Sequence, residues 1–550
     1  ADISGNDLLR WWEQDPATDV VLMYLESFGN PRQFSRIATR LSRSKPIVAV
    51  KSGRSPAGTR GAASHTAALA SPEEAVDALF LKTGVVRVDT IEEMFDVAQV
   101  LSDCPLPAGS RVGIVTNAGG PGVLAADALT GAGLEVPELS DATRAELGAF
   151  LDPSAGTLNP VDMIASASAD TYVQTLRLLL RTDDVDSLLV IFTPPLVTRA
   201  DDVATAVVQA VDEGRRAGCS KPVIACFLGS EGSPNVLHAK RVSVPCFVYP
   251  ETAARALAKA VSYSKWLARL PGSEPVLDRT DANAARHLIQ ATLEPARALD
   301  RSRVATTVPG DAVSKGEVNG GEVSAAGWLT GQSAMALLDC YGIPTVPTIA
   351  VASPEYAEKS SLELGFPVTL KATGGAIVHK SDVGGVKLRL SSPEEVHSAY
   401  MAMKRCLGEA MEGAVLQRMV DPGVETIAGF VRDRAFGPLV LFGLGGTAVE
   451  VLGDHATRLT PLTLADAREL VLSLRGSKLL TGFRGSKPVD LDALVDLVIR
   501  LGRLAEDLPE LAEADCNPVM AGPGGAVVVD ARLRVDADWT NTSTEARHLA

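Results

Sequence analysis

Two stretches of this chain share one pattern and decide the first part of the fold. Asp19-Val-Val-Leu-Met-Tyr24, a helical stretch and Lys45-Pro-Ile-Val-Ala-Val50 recur as Asp186-Ser-Leu-Leu-Val-Ile-Phe192, a helical stretch and Lys221-Pro-Val-Ile-Ala-Cys226. Strands that alternate with helices are typical of βαβ units and parallel sheets. The repetition predicts two similar α/β, flavodoxin-like domains that divide near residues 104–110.

The pattern changes beyond a helix predicted at about 250–268. Residues 300–325 are small and polar and lack periodicity, which is typical of a linker. Strands and helices then alternate irregularly, which indicates an α+β unit. The predicted domains are 1–104 and 105–270, both flavodoxin-like, a linker at 271–325 and a third domain at 326–540.

Composition limits the class of protein. The 550 residues include 52 Lys+Arg and 67 Asp+Glu, a net charge of −15, and 46% are hydrophobic. This balance excludes wholesale disorder and disfavours nucleic acid as a partner. The seven cysteines are scattered, and no apolar stretch approaches the ~20 residues of a membrane helix, so we expect a cytoplasmic protein. The abrupt start at Ala1 indicates a fragment or a processed chain.

A long segment of small residues follows the strand that ends near Val50. It contains Ser64-His65-Thr66 and leads to a helix predicted to begin near Ser71. A histidine in such a loop can act as a nucleophile toward phosphate, and a helix N-terminus stabilises the negative charge. From the residues alone, a surface loop histidine without a catalytic role is the favoured interpretation.

The run Asn117-Ala-Gly-Gly-Pro-Gly122 joins a predicted strand to a predicted helix. Its glycines allow backbone N–H groups to surround an anion at the helix start. The run lacks the full dinucleotide-binding pattern, so a tight turn without a ligand is the alternative.

The third unit carries residues suited to a nucleotide. Lys371 ends an apolar strand and precedes Gly374-Gly375 and His379. Asn517 and Asp530 end two further predicted strands, and oxygen ligands on adjacent strands suit Mg²⁺ that bridges phosphates. Each acidic residue alone can be a turn or cap residue, but together the groups favour a nucleotide site.

At these residues the sequence resembles the NDP-forming acyl-CoA synthetases, or ADP-forming acetate–CoA ligases, which are related to succinyl-CoA synthetase. The resemblance implies that His65 carries the phosphoryl group and that Glu26, in Tyr24-Leu-Glu26, pairs with it. It also implies that Asn117, Gly119 and Gly120 face the phosphate. Ala67 and Ser71 stand where family members usually have glycine.

The third unit resembles an ATP-grasp domain. The resemblance implies that Lys371, Gly374 and Gly375 contact the nucleotide phosphates. Gln417, within Val415–Met419, and Glu425 would line the purine and ribose pocket. Asn517 and Asp530 would bind Mg²⁺, and His379 would be a second catalytic histidine near the γ-phosphate.

The reaction implied is ATP + carboxylate + CoA ⇌ ADP + phosphate + acyl-CoA, through an acyl phosphate and phosphohistidine, with acetate or a similar small acid. The family's N-terminal CoA-binding domain is not in this chain. We therefore expect either that the sequence is truncated or that a separate chain carries this domain. We also expect that the protein forms a homo-oligomer or pairs with a CoA-binding domain. One alternative is a non-catalytic regulatory module of a protein lysine acetyltransferase. Another, an ATP-grasp carboxylate–amine ligase, leaves residues 1–268 unexplained.

Overall fold

The computed structural model describes residues 3–53, 73–195, 198–229, 234–237, 242–269, 272–291, 293, 326–374, 384–446 and 453–536. The chain forms two compact units, Ala1–Pro271 and Gly272–Ala550. His65, Gly375, His379 and the predicted linker 300–325 lie outside the described residues. Among the described helices, none is both long and apolar enough to span a membrane.

The first unit begins with a three-stranded parallel sheet in the order β1-β2-β3. Its strands are β1 (Val21–Leu25), β2 (Ile47–Lys51) and β3 (Val86–Val88). The helices are α1 (Gly5–Gln14), α2 (Pro31–Leu41), α3 (Glu73–Thr83) and α4 (Ile91–Asp103). The central strand β2 is buried along its whole length, because both faces of a parallel sheet are covered by helices.

A five-stranded parallel sheet follows, in the order β5-β4-β6-β7-β8. Its strands are β4 (Val112–Thr116), β5 (Val161–Asp162), β6 (Ser187–Phe192), β7 (Val223–Phe227) and β8 (Cys246–Phe247). The helices are α5 (Gly119–Gly131), α6 (Asp141–Gly148), α7 (Ala169–Arg181), α8 (Ala200–Arg216) and α9 (Pro250–Ala268). The repeated pattern thus places its two copies in two separate parallel sheets.

The two sheets of the first unit share one core. Val48 of β2 and Ile114 of β4 belong to the same buried cluster, which also contains Val97 of α4 and Leu257 of α9. The other face of the five-stranded sheet packs on α7 and α8 in a second cluster. The shared cluster joins the two flavodoxin-like parts into one unit.

The second unit contains a four-stranded antiparallel sheet in the order β10-β13-β11-β12. Its strands are β10 (Thr348–Val351), β11 (Val368–Thr373), β12 (Val386–Leu390) and β13 (Gly413–Arg418). The helices α11 (Pro354–Leu364) and α12 (Pro393–Leu407) pack on it, with Leu370 and Leu416 of the sheet in the buried cluster.

A seven-stranded antiparallel sheet completes this unit, in the order β16-β15-β14-β17-β19-β9, with β18 paired to β17. Its strands are β9 (Ala326–Thr330), β14 (Val424–Asp433), β15 (Gly437–Leu444), β16 (His455–Leu459), β17 (Leu511–Gly522), β18 (Gly525–Val528) and β19 (Ala531–Asp536). The helices are α10 (Gln332–Asp339), α13 (Leu464–Leu472), α14 (Lys478–Thr481) and α15 (Leu491–Asp507).

Two predicted strand ends in this sheet are wrong. Asn517 lies inside β17, at the point where that strand changes its partner from β19 to β18. Asp530 lies in the connection between β18 and β19, because β18 already ends at Val528. Because β17 pairs first with β19 and then with β18, it continues past Asn517, where its pairing with β19 has ended.

Candidate functional site

Two polar side chains of the second unit converge on one backbone oxygen. Lys371 of β11 places its Nζ 3.4 Å from the carbonyl oxygen of Val529. Gln417 of β13 donates from Nε2 to the same oxygen at 3.1 Å. Because β11 and β13 are neighbouring strands, and Thr369 pairs with Gln417, the two side chains reach Val529 from one sheet. The structure therefore brings together the predicted lysine and glutamine of the nucleotide site.

The predicted metal ligands are adjacent to this point. The backbone N–H of Asn517 donates to the carbonyl oxygen of Asp530 at 3.1 Å, and that of Val529 donates to Pro518 at 3.0 Å. One Asp530 carboxylate oxygen accepts from the N–H of Ala531 at 3.0 Å. An amide oxygen and a carboxylate are hard oxygen donors, and Mg²⁺ commonly uses one or two of these together with substrate phosphates. The pair fits a magnesium ion that also binds phosphate.

The remaining predicted nucleotide residues differ in placement. Glu425, near the start of β14, is exposed, and its carbonyl accepts from the N–H of Gly445 at 2.8 Å. Among the described residues no hydrogen bond joins Glu425 to Lys371 or Gln417. Gly374 follows β11, and a Cβ there would lie 2.0 Å from the carbonyl oxygen of Ala410. A side chain at position 374 would therefore clash with the backbone at Ala410.

Asn117 follows β4 in the first unit and is almost fully buried. Its Nδ2 donates to the carbonyl of Thr193 at 2.8 Å, and its Oδ1 accepts from the N–H of Thr193 at 2.9 Å. Thr193 follows β6, the neighbouring strand. The side chain therefore holds two strand ends together.

The exposed glycines after Asn117 open the helix α5. No side chain caps this helix at Ala118. Uncapped N–H groups at a helix start attract anions through hydrogen bonding and the helix dipole. A Cβ on Gly120 would meet nothing within 4 Å, and one on Gly119 would lie 3.0 Å from a carboxylate oxygen of Asp162. Space for a phosphate group therefore exists at Gly120.

Glu26 lies at the edge of the first sheet. It is exposed and follows β1, which pairs in parallel with β2 so that Leu25 lies opposite Lys51. The residues that follow β2 include His65. Lys51 is buried, donates to the carbonyl of Ser52 and has a pKa lowered by that burial. Carboxyl ends of parallel strands are where ligands bind in open α/β sheets, and Glu26 and Asn117 both follow such ends.

Three groups that position the predicted side chains in the two units carry no signal in the sequence. Thr348 and the Val529 carbonyl fix Gln417, and Thr193 fixes Asn117. A backbone carbonyl has no signature in a sequence. Thr348 could have been found only from the register of β10 against β13, in which it lies opposite Gln417.

Comparison with known proteins follows this geometry. Residues 1–101 match the succinyl-CoA ligase like flavodoxin domain, residues 112–269 the ligase-CoA domain and residues 322–535 the ATP-grasp domain. The ADP-forming acetate–CoA ligase I of Archaeoglobus fulgidus is 34% identical over 538 residues, which cover 97% of this chain and 72% of that protein. The chain belongs to the ADP-forming acetate–CoA ligase family.

Two further relatives show the range of the family. The ADP-forming 4-hydroxybutyrate–CoA ligase of Nitrosopumilus maritimus is 31% identical, over 97% of this chain and 73% of that protein. The ADP-forming acetate–CoA ligase I subunit beta of Pyrococcus furiosus is 41% identical, over 36% of this chain and 88% of that subunit.

The family confirms the predicted fold class and activity. The chain is an ADP-forming acid–CoA ligase with two flavodoxin-like domains before an ATP-grasp domain. Its substrates are ATP, CoA and a carboxylic acid, and Mg²⁺ is its cofactor. Membership in this enzyme family favours a ligase over the alternative, a non-catalytic regulatory module.

Proposed function

We propose that the second unit contains the donor site and the first unit the acceptor site of one phosphoryl transfer. Lys371 and Gln417 bind ATP in the second unit, and Asn517 and Asp530 hold the Mg²⁺. His65 accepts the γ-phosphoryl group and gives it to the carboxylate at the sheet edge of the first unit. The observation that supports this most is the convergence of Lys371 and Gln417 on Val529, the residue before Asp530.

Each group has a defined task in this proposal. The Lys371 ammonium balances phosphate charge, and Mg²⁺, when bound, would offset the charge that develops on the leaving diphosphate. The N–H groups of Gly119 and Gly120 bind the phosphoryl oxygens. Asn117 positions these N–H groups indirectly, because its own side-chain amide is hydrogen-bonded to the backbone of Thr193. Glu26 orients the imidazole of His65 and stabilises its positive charge.

The bonds balance in three steps. The Nε2 or Nδ1 of His65 attacks the γ-phosphorus, the bond to the β,γ-bridging oxygen breaks, and ADP leaves. A substrate carboxylate oxygen then attacks the phosphorus, the P–N bond to His65 breaks, and acyl phosphate forms. The CoA thiolate finally attacks the acyl carbon, the bond from that carbon to the phosphate oxygen breaks, and acyl-CoA and phosphate result. Dividing one difficult transfer into easier ones is the usual gain of covalent catalysis.

Labelling with [γ-³²P]ATP and Mg²⁺ tests the phosphohistidine. The wild type should take up an acid-labile, base-stable label, and His65→Ala should abolish it. His379→Ala should slow labelling if His379 is a second, transient carrier. His287→Ala is a matched control, since His287 is exposed and lies outside every proposed site. A wild type that binds ATP but takes up no label would contradict the proposal, and label that survives His65→Ala would assign the role to His379.

We propose acetate or a similar small acid as substrate. The acetate and 4-hydroxybutyrate ligases among the relatives support a small carboxylate. Acetyl phosphate should then phosphorylate the protein without ATP, because the acyl phosphate step is reversible. Enzyme that is labelled by ATP but not by acetyl phosphate would require a different acid.

We further propose that a CoA-binding domain, on the same longer protein or on another chain, completes the site, and that the complex is cytoplasmic. The occurrence of family members as separate subunits supports the first point. The seven cysteines are scattered along the sequence without close pairs, which supports a reducing compartment. CoA-dependent ADP release that appears only when such a domain is added would test the pairing.

A further inference from the structure

A cleft of about 700 Å³ opens at one edge of the five-stranded sheet in the first unit. It lies between the residues that precede β4, β6 and β7 and the C-terminal ends of α7 and α8. These strands are parallel, so their amino ends share one edge, and Asn117 and the start of α5 lie at the opposite edge. Clefts of roughly 300–1,000 Å³ typically hold small molecules. The cleft therefore has the size of a ligand site and is separate from the proposed phosphoryl site.

Several charged side chains in this cleft already have partners within the protein. Arg111 forms a bidentate ion pair with Asp186, through Nη2 at 2.7 Å and Nε at 3.1 Å. Arg177 pairs with Glu213, whose Oε1 lies 2.7 Å from Nη2. The Lys221 ammonium donates to a carbonyl oxygen in the last turn of α7 at 3.1 Å. These contacts hold the walls of the cleft together.

Arg181, the last residue of α7, lines the same cleft and differs from these groups. Its Nε donates to the carbonyl oxygen of Arg177 at 3.1 Å. In the part of the chain that the structure describes, no carboxylate forms an ion pair with its guanidinium group. The two terminal nitrogens of a guanidinium group form a planar fork that matches the two oxygens of a carboxylate. Arg181 can therefore bind a carboxylate through this fork.

The rest of the cleft indicates what such a carboxylate is attached to. Leu180, Val185 and Ala210 supply an apolar wall beside the charged groups. Among the described residues, four basic and three acidic side chains line the cleft, and the third acidic one is Asp183. A ligand with a single negative charge balances this excess, and its apolar part would cover the apolar wall.

We propose that this cleft is a second ligand site of the ligase, which binds a small organic carboxylate with an apolar chain. The carboxylate group binds the terminal nitrogens of Arg181, and the chain packs on Leu180 and Val185. Because the site lies at the sheet edge opposite Asn117, its ligand is bound there without taking part in the phosphoryl transfer.

Hydrogen–deuterium exchange of the full chain tests the site, because protection of the last turns of α7 and α8 reports on this cleft and not on the opposite sheet edge. Hexanoate should protect these turns at roughly 10-fold lower concentration than acetate, since its longer chain buries more apolar surface. Hexylamine, which carries the opposite charge on the same chain, should not protect them. No protection by hexanoate, or equal protection by acetate, would overturn the proposal. Protection by hexylamine at lower concentration than hexanoate would also overturn it and would indicate a cation bound to Asp183.

Substitution of Arg181 locates the contact. Arg181→Gln should raise the hexanoate concentration needed for protection roughly 10- to 100-fold, and Arg181→Lys, which keeps the charge without the fork, should recover only part of the affinity. Arg216→Gln is the matched control, since Arg216 ends the neighbouring helix α8, is exposed and pairs with Asp212 outside the cleft. Its hexanoate dependence should equal that of the wild type. Unchanged protection in Arg181→Gln would contradict the proposal, and if that variant does not fold, the order of the three probes on the wild type still decides.

Discussion

The two buried amides, Asn117 and Gln417, differ in what they have left for a ligand. The Nδ2 and Oδ1 atoms of Asn117 each form a hydrogen bond to the backbone of Thr193. Gln417 bonds through its nitrogen, and its buried oxygen has no hydrogen-bond partner in the part of the chain that the structure describes. Asn117 therefore has a structural role, whereas the buried oxygen of Gln417 can still accept a hydrogen bond from a ligand.

Asn117→Ala should lower the free energy of unfolding by about 2 kcal/mol, because the N–H and carbonyl of Thr193 lose their partner in a buried place. Urea denaturation of the full chain measures the change. Asn235→Ala is the control, since Asn235 is exposed, and its effect should stay within about 0.5 kcal/mol. Equal stability of the two variants would show that the bonds to Thr193 contribute nothing.

We expect the buried Lys51 to make the free energy of unfolding depend on pH. Burial lowers its pKa below the usual value of 10.5. Between the lowered value and 10.5 the unfolded chain binds more protons than the folded chain, so the contribution of this group to stability rises with pH across that window. Lys51→Met should therefore be more stable than the wild type at pH 7, and the difference should shrink as the pH rises toward 10. Urea denaturation at several pH values measures it, and a less stable Lys51→Met would contradict the sign.

Among the site residues, those that end a predicted strand were the ones that sequence could find. Lys371 ends an apolar run, and Asn517 and Asp530 carry side-chain oxygens at the ends of strands predicted to be adjacent. Their meeting depends on the change of partner along β17, which only the register reveals. His65 and His379 stay predictions.

At the scale of elements, burial decides which strands a sequence reveals. Ile47–Lys51 and Val112–Thr116 are buried along their whole length and were predicted within two residues. His455–Leu459 and Ala531–Asp536 were missed, because their apolar residues are few and alternate with polar ones on a sheet with one open face. The third domain was therefore predicted with too few strands.

Gly374 sets the distance between β11 and the segment at Ala410. Gly374→Ala would place a Cβ 2.0 Å from a backbone oxygen, so the strand end must shift, and we expect a loss of about 1–3 kcal/mol in unfolding free energy. Gly148→Ala is the matched control: Gly148 ends helix α6, and a Cβ there meets nothing within 4 Å. It should be neutral or stabilising by up to about 1 kcal/mol. A Gly374→Ala protein as stable as the control would contradict the clash.

At the scale of the whole molecule, the two units have separate cores. We expect calorimetry to show two unfolding transitions, of which only one responds to ATP and Mg²⁺. At 100 times the dissociation constant, binding stabilises the folded state by about 2.7 kcal/mol. Lys371→Met should abolish the shift, and Gly374→Ala should identify the responding transition by lowering it. A shift of both transitions together would mean that the units unfold as one.

The single buried cluster that joins β2 and β4 has a consequence for how such a gene can divide. A break near residues 104–110 would leave Val48 and Ile114 on different polypeptides, each with bare apolar surface, and would invite aggregation. A break at the boundary between Pro271 and Gly272 leaves every cluster whole, because Ala285, Ile289 and Leu293 already belong to the core of the second unit. Gene fission in this family, and any split-protein reporter built from this chain, should therefore use the second position.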